Sequence, residues 1–168
     1  MRDLSRARDI NPNNADVRFA LAKAFRLRGQ SESAVSELEA ALRRARGRVD
    51  IRTALIATYM QERRWVPVEY LLREAQTSAD IPRTARWWQL AAEMWQRRDE
   101  PQRALQALLS VPDDVPDRRN VLYQLHELQL TNGMPEAVLE STARLLEEGA
   151  SLANWWVYMQ RGAALAAL

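Results

Sequence analysis

Along the chain, apolar residues return at intervals of three and four, as in Leu21, Ala24, Phe25 and then Val35, Leu38, Ala41, Leu42. That spacing puts them on one stripe of an α-helix. Short polar breaks separate the stripes: Arg28-Gly29-Gln30-Ser31, Arg97-Arg98-Asp99-Glu100-Pro101 and Thr131-Asn132-Gly133-Met134-Pro135. Gly29 and Gly133 suit the left-handed position that ends a helix, where a side chain would clash. Pro67, Pro101 and Pro135 fall where second helices are expected to begin, and Pro82 and Pro116 where first helices begin; proline is tolerated there because the first-turn N–H has no helical partner. No stretch alternates apolar and polar positions long enough to predict a strand. The expected fold is all-α.

The stripes repeat. Leu21-Ala22, Phe25, Ala34, Leu38 and Ala41 recur 34 residues later as Leu55-Ile56, Tyr59, Val68, Leu72 and Ala75. They recur again, displaced by 36, as Ala91-Ala92, Trp95, Ala104, Leu108 and Val111, and Ala137-Val138 begins a fourth copy. The tryptophan pairs Trp87-Trp88 and Trp155-Trp156 stand 68 residues apart, two periods. Small residues at Ala22, Ala34, Ala41, Ala92 and Ala104 are expected to let two helices approach, and Phe25, Tyr59 and Trp95 to fill the space between successive pairs. One pair cannot bury its apolar face alone, so stability must come from stacking.

These positions resemble the tetratricopeptide repeat (TPR), whose pattern is W-x2-L-G-x2-Y, then A-x3-F, then P. The third unit matches as Trp88-x2-Ala91-Ala92-x2-Trp95 with Ala104-x3-Leu108; the first matches with Arg18 at the tryptophan position. The second, with Ile56 and Val68 at small positions, is expected to splay, and the first helix of the fourth fits one residue late. The resemblance implies a right-handed α-solenoid of antiparallel helix pairs. Residues 1–13 read as the end of a preceding repeat, 14–47, 48–81, 82–115 and 116–150 as repeats, and 151–168 as the first helix of a following one. The apolar end, Ala163 to Leu168, suggests a piece of a longer array.

Charge and composition narrow the function. The chain has no cysteine and one histidine, which removes disulfides, thiolate metal sites and thiol nucleophiles. No apolar run nears the ~20 residues of a membrane span, so this segment is not expected to insert in a membrane. Residues 1–84 hold 16 basic and 11 acidic groups, residues 85–168 hold 8 and 11; that imbalance is too mild for a nucleic-acid footprint. Lys23 is the only lysine among 24 cations. The arginine run Arg43, Arg44, Arg46, Arg48 and Arg52 reads as a solvated rim, with an acidic partner's landing site as the functional alternative.

Catalysis is not expected. His126 has no cysteine or second histidine for a metal set, and is expected at a packing face or groove edge. Ser110, Ser141 and Ser151 have no recognisable histidine partner, the acid pairs Asp113-Asp114 and Glu147-Glu148 read as solvated charges, and no phosphate loop occurs. No cofactor is called for. Trp65 and Trp95 are expected in the core, and one tryptophan of each adjacent pair can face outward as an anchor for a protein or a sugar chain.

The resemblance implies that first helices line a concave surface where partners bind. By position, the groove candidates are Phe19, Lys23, Arg26 and Leu27; Thr53, Ala57, Met60 and Gln61; Arg86, Gln89, Glu93, Gln96 and Arg97; and Arg119, Tyr123, His126 and Gln129. The expected function is a non-catalytic protein-interaction scaffold. Arginine-rich, lysine-poor arrays of this kind resemble the periplasmic repeat regions of Gram-negative exopolysaccharide exporters, which recruit polymer-modifying enzymes. Direct polysaccharide binding, through Trp87, Trp155 and Glu93, and a cytoplasmic adaptor for peptide tails are the alternatives.

Overall fold

The computed structural model describes residues 2–147 and 155–168. Among these residues there are ten α-helices and no strand: α1 (Arg2–Ile10), α2 (Ala15–Leu27), α3 (Ser31–Arg44), α4 (Val49–Gln61), α5 (Trp65–Thr77), α6 (Arg86–Arg97), α7 (Pro101–Leu109), α8 (Arg118–Thr131), α9 (Pro135–Glu147) and α10 (Trp155–Ala166). The boundary placed at 150 and 151, with Glu148 and Ser151, lies outside the described residues. The chain divides into two compact units, Met1–Arg83 and Thr84–Leu168.

Within the first unit each helix packs on the next, from α1 through α5. In the second, α6 to α10 do the same, and α8 also touches α6 and α10. Contact therefore passes from neighbour to neighbour rather than converging on one centre, as in a stacked repeat.

Four turns carry the register. Gly29 (φ 69°), Arg63 (φ 56°), Asp99 (φ 61°) and Gly133 (φ 69°) are left-handed and stand 34, 36 and 34 residues apart. At each, the left-handed residue's N–H donates to the carbonyl three residues back, as Gly29 to Arg26 at 3.0 Å, Arg63 to Met60 at 3.2 Å, Asp99 to Gln96 at 3.0 Å and Gly133 to Leu130 at 3.1 Å. The next N–H reaches five back: Gln30 to Phe25, Arg64 to Tyr59, Glu100 to Trp95 and Met134 to Gln129. This paired bond satisfies carbonyls the helix end would otherwise orphan.

Packing between the helices follows side-chain size. Ala22, Ala34, Ala41, Ala92 and Ala104 are completely buried, and the backbones run closest in the α2–α3 and α6–α7 pairs. Where Ile56 and Val68 replace alanines, α4 and α5 stand farther apart, and α8 and α9 farther again. Trp65 and Trp95 are half-buried rather than core. The Arg98 and Arg103 guanidinium groups cover the Trp95 ring at 4.5 and 4.8 Å, which shields a face that no helix covers.

The position that is Trp88 in the third pair is Arg18 and Arg52 in the first two. Each arginine turns a cation inward and needs a carboxylate. Arg18 reaches Glu37 Oε2 at 2.7 Å and the Pro12 carbonyl at 2.7 Å; Glu37 also accepts from Arg8 at 3.0 Å. Arg52 reaches Glu74 Oε2 at 2.7 Å and the Leu71 carbonyl at 3.2 Å.

Arg63 is exposed and pays a left-handed penalty of roughly 1–2 kcal/mol that glycine escapes, less glycine's own chain-entropy cost of roughly 0.5–1 kcal/mol. Arg63→Gly is expected to raise, and Gly29→Ala to lower, the urea midpoint. A fall with Arg63→Gly would contradict the turn assignment.

Candidate functional site

Counting back from each left-handed turn aligns the first helices. Ten and six residues before it stand Phe19 and Lys23 in α2, Thr53 and Ala57 in α4, Gln89 and Glu93 in α6, and Tyr123 and Glu127 in α8. His126 falls instead seven residues before its turn, with Ala22, Ile56 and Ala92, which are all fully buried. Gln129 falls with Phe25, Tyr59 and Trp95. The groove assignment of His126 and Gln129 is therefore corrected: both are interior, His126 with 0% exposure. Met60 is corrected likewise, at 2%. The signal that places them was present in Gly133, which marks the fourth register as Gly29 marks the first.

The other candidates remain accessible. Lys23, Arg86, Arg97, Arg119 and Tyr123 are exposed; Phe19, Arg26, Thr53, Gln89 and Glu93 are half-buried. In the first unit, Lys23, Arg26 and Leu27 of α2 meet Ser31 and Gln61 around a recess of about 370 Å³. The Lys23 ammonium lies 4.5 Å from the Phe19 ring centroid, and Leu27 is 90% exposed. Thr53 and Met60 do not line this recess.

In the second unit, Arg119, Asn120 and Tyr123 of α8 meet Trp155 and Trp156 of α10 around a recess of about 310 Å³. The two tryptophans divide: Trp155 is 66% exposed and Trp156 is buried. Trp87 and Trp88 are both buried, so neither offers an outward ring. Arg86, Gln89, Glu93 and Arg97 follow one another along α6 outside the recess, and Glu93 is tied to Arg97 at 2.9 Å. Asn120 and Trp156 are recess residues that position along the repeat did not single out.

An aromatic file leads inward from this recess. Tyr123 lies against Trp156 at 6.5 Å between centroids, and Trp156 stacks on His126 at 6.0 Å. His126 Nε2 is 2.8 Å from Ser141 Oγ, while Nδ1 is buried with no hydrogen-bond partner. Placing the proton on Nε2 lets it donate to Ser141 and leaves Nδ1 only a lone pair to desolvate. Burial lowers the His126 pKa to about 4, because the imidazolium would lose its hydration. A neutral imidazole enclosed in this way is a packing group, and no cluster able to hold a metal ion occurs among the described residues.

No family model matches the sequence, and no curated protein does. Among solved structures, PilF of Pseudomonas aeruginosa is similar at 22% identity, covering 90% of this chain and 68% of that one, with a TM-score of 0.58. YrrB, a TPR protein described as having an unusual peptide-binding site, is 13% identical over 97% of this chain and 82% of its own, with a TM-score of 0.57. The MamA protein is 16% identical, covering 91% and 81%, with a TM-score of 0.58. At these identities the likeness shows the fold: an all-α, tetratricopeptide-type solenoid of helix pairs.

Of the six tryptophans, Trp155 is the one the structure leaves broadly open to solvent. Trp155→Phe is expected to remove the largest part of the iodide-quenchable emission, and Trp87→Phe none of it. Equal losses would contradict the assignment.

Proposed function

We propose that the chain is a non-catalytic scaffold that docks a segment of a partner protein on its exposed first-helix faces. The observation that carries this reading is the α8–α10 recess, where an exposed Trp155 and Tyr123 stand beside Arg119. Tryptophan, tyrosine and arginine dominate binding energy at protein interfaces, because each pairs a large apolar body with a directional polar group. The Lys23–Arg26–Leu27 recess of the first unit offers a second, basic contact. The fold it shares with YrrB, described as a peptide-binding TPR protein, supports a peptide segment as the ligand.

As the wider setting we place the scaffold in the periplasm of a Gram-negative bacterium, within an exopolysaccharide export protein that recruits a polymer-modifying enzyme. What supports this is the arginine-rich, lysine-poor style of the repeats. Direct polysaccharide binding is a second reading, favoured by the open Trp155 ring next to Tyr123, on which a sugar can stack; Trp87 and Glu93 take no part in it. Anionic and cationic oligosaccharides that leave tryptophan emission unchanged at millimolar concentration would remove that reading.

The scaffold reading is tested by selecting binders from a displayed random-peptide library on the intact chain and measuring them against Trp155→Ala. The selected peptides are expected to lose about tenfold or more in affinity, roughly 1.4 kcal/mol. Peptides that bind both proteins equally, or a selection that yields none, would overturn it.

A further inference from the structure

The arginine run at 43–52, read from sequence as one solvated rim, is divided by the fold. Arg48 is spent on Asp16 and Asp50, at 2.8 Å each. Arg52 is 1% exposed and neutralised by Glu74. Arg43 and Arg46 instead line a cleft of about 310 Å³ walled by α3, α4 and α5 and floored by Leu42, Leu55 and Leu71. Arg43 has only a loose contact with Glu39, at 3.9 Å, and Glu39 already accepts the Tyr59 hydroxyl. The Arg46 side chain has no ion-pair partner among the described residues. Tyr70, on the same cleft, is 66% exposed.

The cleft itself is a product of stacking. Seventy residues later, α7, α8 and α9 enclose a counterpart of about 390 Å³, with Leu109, Leu122, Gln129 and Arg144 where the first has Glu39, Arg52, Tyr59 and Glu74. The charge does not repeat. Asp113, Asp114 and Pro116 occupy the places of Arg43, Arg44 and Arg46. Helix packing therefore explains the hollow and leaves the unpaired arginines unexplained.

We propose that this first cleft docks an acidic segment of a partner protein. Its carboxylates meet Arg43 and Arg46, whose planar guanidinium groups take carboxylates in a bidentate fork. An apolar side chain of the segment rests on Tyr70 and the leucine floor. The volume lies at the small end of ligand pockets, so it admits one or two side chains of an extended strand rather than a folded surface. The positive unit surrounding it, with 16 basic against 11 acidic groups over residues 1–84, steers such a segment inward. The surface lies on α3 and α5 and shares no residue with the two recesses described above, so it stands or falls separately from them.

The test is a titration of the ¹⁵N-labelled chain with a blocked heptapeptide, Glu-Asp-Glu-Leu-Glu-Asp-Glu, and its amide counterpart, Gln-Asn-Gln-Leu-Gln-Asn-Gln. The acidic peptide is expected to shift amides around 39–46 and 67–74, but not those around the counterpart cleft, and the amide peptide to shift neither. Arg43→Glu with Arg46→Glu is expected to weaken binding about tenfold. Arg44→Glu with Arg63→Glu changes net charge equally at exposed sites outside the cleft and is expected to cost less than about twofold. Equal weakening by both pairs, shifts spread over every arginine, or no binding at millimolar peptide would overturn the proposal. All four substitutions are at exposed positions, and a matching thermal melt establishes that each variant is folded.

Discussion

Two helices joined by a tight left-handed turn cannot bury the apolar stripe they share, and the rest of this structure follows from that shortfall. A pair hides one side of each stripe against its own partner and must hide the other against the next pair. The turn fixes where along the chain this happens. With left-handed residues at 29, 63, 99 and 133, every position in a pair has a counterpart in the next, and burial recurs with it: Leu38, Leu72, Leu108 and Thr142 are all enclosed.

Polar residues at interior positions are admitted only on conditions. Thr142 hydrogen-bonds the Val138 carbonyl one turn back at 2.7 Å, a local solution that needs no partner elsewhere. Arg18 and Arg52 replace an indole with an aliphatic stem, and each then requires a glutamate on a following helix. His126 pairs with Ser141 and stacks on Trp156. Positions on the outer face carry no such requirement. Aromatic and cationic side chains gather there, and that freedom is what a docking surface uses.

Helix content, turn positions and the approximate period were legible in the sequence because each rests on local chemistry: i, i+3, i+4 stripes, glycine at a left-handed turn, proline in a first turn. The turns at Arg63 and Asp99 were harder to see, since neither residue advertises a positive φ. The fourth first helix was misaligned because its interior positions hold Leu125, His126 and Gln129 rather than a small residue and an aromatic; polarity there suggested a groove, while the register dictates a core. The tryptophan pairs were undecidable from spacing alone. Residues 100° apart on a helix both become buried when packing comes from two sides, as for Trp87 and Trp88, and separate when it comes from one, as for Trp155 and Trp156.

Since the stack's register decides which side chains face inward, the residue on which outward polarity and register disagree is the sharpest probe of it. An NMR titration of the His126 imidazole in the folded chain measures that directly. The account predicts a midpoint near 4, well below the ordinary histidine value, with the neutral ring protonated at Nε2. A midpoint near 6.5, with both ring nitrogens exchanging freely with solvent, would place His126 in an open groove and contradict the register.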